Sequence, residues 1–96
     1  MTDIKPGKNE FYIEENGAVI ARIQFIPSGT DVNGRDLIIV NHTIVNEGHN
    51  GKGLGKKLVD RIAEYARVEN KFIVPVCTYA KGILESKKEY QSVLAN

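Results

Sequence analysis

The sequence lacks several features that would assign it quickly to a class of protein. It has one cysteine, no tryptophan and three prolines among 96 residues. A single thiol, Cys77, cannot form an internal disulfide, so a disulfide-stabilised fold is excluded. The longest apolar run, Phe72 to Cys77, is far shorter than the ~20 residues of a membrane-spanning helix. The opening segment, Met1 to Glu10, is polar and has no signal-peptide pattern. We therefore expect a cytoplasmic protein that does not enter a membrane.

An excess of charge of one sign is also missing. The chain has 13 basic and 12 acidic residues, a formal net charge of +1. A dedicated nucleic-acid binder normally carries a basic excess, so we expect no nucleic-acid partner. A length of 96 residues with 42% hydrophobic composition predicts one domain, residues 1–96, with a single modest core.

The spacing of apolar residues changes along the chain and predicts an α+β fold. Alternating residues predict strands in the first half, joined by Asn16-Gly17 and Asn33-Gly34 turns. A period near four predicts a helix from Leu54 to Glu69, which Asn70 ends. Helical structure is expected from Tyr79 to Leu94, with a break near Ser86. The predicted strands are Phe11–Ile13, Ala18–Ile26 (ended by Pro27-Ser28-Gly29), Leu37–Val45 and Phe72–Val76.

These elements predict a mixed, mostly antiparallel four-stranded sheet with one crossover helix and C-terminal helical structure. A strand–helix–strand unit, here Leu37 to Val76, normally places its two strands parallel.

A glycine-rich segment joins the third strand to the helix. Gly51, Gly53 and Gly55 lie beside Lys52 and Lys56. Exposed backbone N–H groups and a helix N-terminus favour a phosphate or pyrophosphate. The alternative is a simple turn with solvated lysines.

Two familiar phosphate loops do not match this segment. Gly48 and Gly53 have the spacing of a mononucleotide loop, but Leu54 stands where lysine is required. The dinucleotide pattern G-x-G-x-x-G fails because Lys56 or Leu58 stands where its last glycine belongs.

The segment Asn50 to Gly55 resembles the acetyl-coenzyme A motif of the GCN5-related N-acetyltransferases, Gln/Arg-x-x-Gly-x-Gly/Ala, with Asn50 where glutamine or arginine is usual. His42-Thr43 and Cys77-Thr78-Tyr79-Ala80-Lys81 are similar to a subgroup of short chains in that family.

The resemblance implies acetyl-CoA as cosubstrate and an amine acceptor that is a protein, a peptide or a small molecule. From the residues themselves we expect no metal. The residues that the resemblance assigns to the coenzyme are Ile44, Val45, Asn50, Gly51, Lys52, Gly53, Leu54, Gly55 and Lys56. Lys81 is a further candidate ligand, as part of a basic rim beyond Cys77, and the alternative is an ordinary solvated helix face.

Cys77 and His42 are the candidate catalytic residues. The resemblance implies that Cys77 acts at the thioester, and two routes stay open: direct transfer of the acetyl group to the amine, or transfer through a covalent acetyl intermediate on Cys77. The alternative is that Cys77 is a buried, small apolar residue. Histidine suits proton transfer near neutral pH, and the alternative for His42 is a structural histidine in the sheet. His49 is interpreted as a solvated loop residue. Two histidines and one cysteine are too few and too scattered for a zinc site.

The function predicted from these residues is transfer of acetyl from acetyl-CoA to an amine. Two alternatives stay open at this point: a non-catalytic module that binds CoA or acyl-CoA, and an interaction domain that binds no coenzyme.

Overall fold

The computed structural model describes residues 3–49, 51 and 53–95 and has the α+β architecture that the sequence predicts. Within these residues, the strands are β1 (Ile4–Gly7), β2 (Glu10–Glu15), β3 (Ala18–Thr30), β4 (Asp36–Val45) and β5 (Lys71–Pro75). The α-helices are α1 (Leu54–Val68), between β4 and β5, and α2 (Thr78–Ser86), which a 3-10 helix, Lys88–Val93, follows.

The five strands form one sheet in the order β1-β2-β3-β4-β5. Every neighbouring pair is antiparallel except β4 and β5, which are parallel with α1 as the crossover. The mixed, mostly antiparallel sheet is therefore confirmed, whereas the predicted count of four strands is wrong. The additional strand is β1, whose Lys5-Pro6-Gly7 sequence does not resemble a strand. It is extended because it pairs with β2, with Ile4 opposite Ile13 and in contact with the core.

The second predicted strand also ends too early. β3 continues through Pro27-Ser28-Gly29 to Thr30, because Pro27 still opposes Ile38 of β4. The register between these strands is irregular beyond Pro27, a place where a residue without an N–H is tolerated. The end of α1 is as predicted: Asn70 follows it in the left-handed conformation, with φ 59°. The break after Ser86 is confirmed as well.

The core lies between one face of the sheet and the helices. Phe11 and Phe25 of the sheet each place their ring centroid 5.4 Å from that of Tyr65 on α1. The predicted apolar face of α1 is buried: Leu54, Leu58, Val59, Ile62, Ala63 and Ala66. Since α1 begins beyond β4 and α2 begins just after β5, both helices have their N-termini near the ends of the two parallel strands.

Candidate active site

A bulge in β4 determines which of its side chains face the helices. Gln24 opposes His42 and Phe25 opposes Val40, so Asn41 has no partner on β3. Directly opposed residues share a face of a sheet, and each bulge residue shifts the alternation by one. Thr43 and Val45, which oppose buried residues of β3, therefore lie on the helix-covered face.

Among the residues that the structure describes, none forms a strand beside β4 beyond Val40 on the edge that faces β5. β5 pairs with β4 only as far as Pro75. The backbone N–H groups of Val76 and Cys77 both donate to the carbonyl of Val40, at 3.0 Å, and there the two strands separate. Asn46 donates its N–H to Ile20 of β3, so by alternation the backbone groups of Val45 point to the open side.

The loop before α1 depends on glycine. Gly48, Gly51 and Gly53 have φ of 90°, 85° and 72°, in the left-handed region that side chains disfavour. A Cβ at any of the three would meet no atom within 4 Å, so open space adjoins the loop. Gly53 is the N-cap of α1, whose first turn has no acidic side chain, and so the N-terminus has an uncompensated positive potential.

An open pocket of about 330 Å³ lies between the end of β4, this loop and the N-terminus of α2. Its lining combines the bare backbone of three glycines with the apolar side chains of Val45 and Leu54. Such a pocket can take a ligand that has both a polar phosphate end and an apolar arm. The lining residues are Thr43, Val45, His49, Gly51, Gly53, Leu54, Gly55 and Tyr79.

Cys77 lies next to this pocket, at the N-cap of α2. Its half-buried thiol donates a hydrogen bond to the hydroxyl oxygen of Thr43, with sulfur and oxygen 3.5 Å apart. Burial raises the pKa of the thiol. The Thr43 hydroxyl and the backbone N–H groups of Ala80, Tyr79 and Thr43 act in the opposite direction and outweigh burial, so the pKa lies below its ordinary value. The thiolate is the reactive form of cysteine, and this environment favours it.

Tyr79 forms a wall of the pocket against Gly55. A Cβ at position 55 would lie 2.5 Å from the hydroxyl oxygen of Tyr79, closer than atoms can approach. Gly55 is predicted from the sequence to bind the coenzyme phosphates. In the structure, the absence of a side chain there also makes room for the Tyr79 ring.

The structure brings five of the predicted coenzyme residues to the pocket: Val45, Gly51, Gly53, Leu54 and Gly55. Asn50 and Lys52 lie outside the described residues.

Four other predicted residues lie elsewhere. Lys56 is exposed and pairs with Asp60, and Lys81 is exposed on α2. His42 and Ile44 oppose Gln24 and Arg22, on the sheet face away from Cys77. Three pocket residues were not among the predicted site residues: Thr43, His49 and Tyr79. Thr43 and Tyr79 flank predicted residues in the quoted motifs, which is the signal that could have identified them.

In the part of the chain that the structure describes, no three His, Cys, Asp or Glu side chains form a group suited to a metal ion. The expectation of no metal stays a prediction. None of the helices found there has the length and apolar composition needed to cross a membrane.

The sheet is mostly antiparallel, and its one parallel pair separates beside a glycine loop and a pocket. This arrangement is typical of a class of acyltransferases. The family model for GCN5-related N-acetyltransferase matches residues 10–93. The chain belongs to this family, and the predicted resemblance is confirmed.

Solved structures agree with this assignment. A GCN5-like candidate N-acetyltransferase from Staphylococcus aureus is 36% identical over 98% of this chain and 88% of its own, with a TM-score of 0.72. The match in family and structure supports the assignment of this chain as an acetyltransferase. A search of curated proteins found no match.

Two more distant structures share the fold. A ribosomal-protein-alanine N-acetyltransferase from Brucella melitensis biovar Abortus 2308 is 23% identical, with a TM-score of 0.63, over 91% of this chain and 63% of that one. A predicted acetyltransferase from Clostridium acetobutylicum, solved with acetyl-CoA, is 20% identical, with a TM-score of 0.60, over 80% and 54%.

Proposed function

We propose that the chain transfers acetyl from acetyl-CoA to an amine, with Cys77 as the group that reacts with the thioester. The observation that carries this proposal is the position of Cys77. It lies where β4 and β5 separate, beside a pocket with a glycine loop at its other side, and its surroundings favour the thiolate.

The coenzyme is a substrate whose two ends match the two sides of this pocket. The pyrophosphate suits the backbone N–H groups at Gly51 and Gly53 and the N-terminus of α1, where the potential is positive. The pantetheine amides suit the open backbone edge of β4 at Val45. Asn50, Lys52 and Lys56 remain proposed contributors through charge and hydrogen bonding. Lys81 is a proposed ligand only at the rim, because it does not line the pocket.

The reaction on Cys77 takes two steps. First, the Cys77 thiolate attacks the thioester carbonyl carbon: a bond from its sulfur to the acetyl carbon forms, the carbon–sulfur bond of the coenzyme breaks, and the departing thiolate takes a proton. Second, a neutral amine attacks the acetyl carbon, its proton is lost to a base, and the Cys77 thiolate is released. Cys77 thus alternates between thiolate and acetyl thioester.

His42 lies on the face of the sheet away from the pocket, so it does not enter the mechanism. His49 lines the pocket and is the histidine that could approach a bound amine.

The first experiment tests the covalent step on Cys77. Wild type, Cys77→Ala and Cys77→Ser are incubated with acetyl-CoA, intact mass is measured, and binding is followed by amide NMR with ATP as the phosphate control. We expect one acetyl group on the wild type and none on either variant. In turnover assays with peptide and polyamine amines, both variants fall to the uncatalysed rate while acetyl-CoA binding is retained.

The other outcomes separate the alternatives. If Cys77→Ala turns over normally, transfer does not use the thiol and Cys77 is only a small apolar residue. Binding without turnover in the wild type would identify a non-catalytic CoA-binding module. If acetyl-CoA and ATP give the same NMR changes, the loop recognises only phosphate.

A further inference from the structure

Thr43 connects the pocket to the sulfur of Cys77. The two residues are 34 positions apart in the chain, and their hydroxyl oxygen and sulfur are 3.5 Å apart. Thr43 also lines the pocket. It reaches this position only because the extra residue Asn41 shifts the alternation of β4; without the bulge, position 43 would face the other side of the sheet.

A threonine hydroxyl can stabilise either form of a thiol. As an acceptor, it takes the hydrogen bond that the Cys77 S–H donates in this structure. When Cys77 ionises and releases its proton to water, the same hydroxyl rotates and donates to the thiolate. Hydrogen bonds to a charged group are stronger than those between neutral groups, so the hydroxyl favours the charged form. This opposes burial, which favours the neutral thiol.

We propose that Thr43 is a positioning residue that holds the sulfur of Cys77 beside the pocket and favours its thiolate form. Its importance for acetyl transfer rests on the function proposed above, but its effect on the sulfur does not. Thr43 itself forms no bond to the acetyl group.

The effect of the Thr43 hydroxyl on the Cys77 thiolate can be separated from the effects of the other groups around the sulfur. The largest stabilising influences on the thiolate are neutral donors: the Thr43 hydroxyl and the backbone N–H groups of Ala80, Tyr79 and Thr43. Titratable side chains nearby are Tyr79 and Lys81 on the same helix and His49 in the lining of the pocket. Substitution of Thr43 leaves each of these side chains and all backbone donors unchanged.

The test is the pH dependence of Cys77 alkylation by iodoacetamide, measured by intact mass in wild type, Thr43→Val and Thr43→Ser. The chain has one cysteine, so thiol alkylation, which is much faster than alkylation of lysine or histidine, reports on Cys77 alone. Valine keeps the shape and the β-propensity of threonine without the hydroxyl, and serine keeps the hydroxyl without the methyl group. Thermal unfolding of each variant checks the fold.

We expect the pH profile of Cys77 alkylation in Thr43→Val to move to higher pH than that of the wild type. At pH 7 the rate of this variant falls about two- to threefold, because the loss of one hydrogen bond of ordinary strength lowers the thiolate fraction about fivefold while the remaining thiolate is about twice as nucleophilic. At high pH its rate equals or exceeds that of the wild type, because a less stabilised thiolate is more nucleophilic. Thr43→Ser follows the wild type.

Three results would overturn the proposal. The first is a pH profile of alkylation in Thr43→Val that overlays the wild-type profile. The second is an alkylation rate in Thr43→Val that is lower than in the wild type by the same factor at every pH. The third is a shift of the profile in Thr43→Ser as large as the shift in Thr43→Val. The first removes any role for the hydroxyl, and the other two indicate packing. Since no coenzyme is present, the outcome is independent of whether the chain transfers acetyl, and failure of one proposal is distinguishable from failure of the other.

Discussion

At the scale of single residues, replacement of Gly55 by alanine has two opposing effects: it favours the helix, and it brings a Cβ against the side chain of Tyr79. Gly55 lies in the first turn of α1, where alanine is favoured over glycine by about 0.5–1 kcal/mol. A Cβ there would nevertheless lie 2.5 Å from the hydroxyl oxygen and 2.7 Å from a ring carbon of Tyr79. Because the Tyr79 side chain is half exposed, we expect its ring to move while the fold is kept.

Gly55→Ala should therefore weaken acetyl-CoA binding several-fold with little change in the free energy of unfolding. Amide NMR titration and urea unfolding measure the two quantities. Gly82→Ala is the matched control, because a Cβ at position 82 of α2 meets nothing within 4 Å. This control should gain about 0.5–1 kcal/mol of stability and bind normally. Unchanged affinity in Gly55→Ala would show that the Tyr79 wall does not matter for the coenzyme.

At the scale of elements, the end of α1 depends on one left-handed residue. Asn70 has φ 59° and connects α1 to β5. Alanine in this conformation costs about 1 kcal/mol, whereas glycine adopts it freely. Asn70→Ala should lower the free energy of urea unfolding by about 1 kcal/mol, whereas Asn70→Gly should stay within a few tenths of the wild type. Both should bind acetyl-CoA as the wild type does. Equal losses in the two variants would instead indicate an important role for the asparagine side chain.

At the scale of the whole molecule, ligand binding and folding are linked. A ligand that binds only the folded state at one hundred times its dissociation constant stabilises it by about 2.7 kcal/mol. For a chain of 96 residues this corresponds to a rise in Tm of about 10 °C or more. We expect this rise with acetyl-CoA in Cys77→Ala, which avoids turnover, and a much smaller one with ATP. Thermal unfolding across a ligand series measures it, and equal rises with both ligands would contradict recognition of the acyl-pantetheine arm.

Short-range features of the fold could be predicted from the sequence. Asn16-Gly17 forms a turn with φ of 53° and 80°, and Gly34 of the second predicted turn has φ 78°. The helix α1, from its apolar spacing, and the glycine loop before it could also be predicted from the sequence. In each case the residues involved are close in the chain and their own conformational preferences decide the outcome.

The remaining features of the fold and of the site depend on pairing between strands. β1 is a strand because β2 lies beside it, and β3 passes Pro27 because β4 still opposes it. At the site, the bulge at Asn41 places Thr43 on the same face of the sheet as Cys77 and His42 on the opposite face.

Short motifs and apolar periodicity were therefore enough to predict the family, the helix, the turns and the position of the glycine-rich loop. Which side chains meet at the pocket depends on tertiary pairing. Since alternate residues of a strand face opposite sides of a sheet, one bulge reverses the side on which every later residue lies. The register that produces it arises from pairing between residues far apart in the chain.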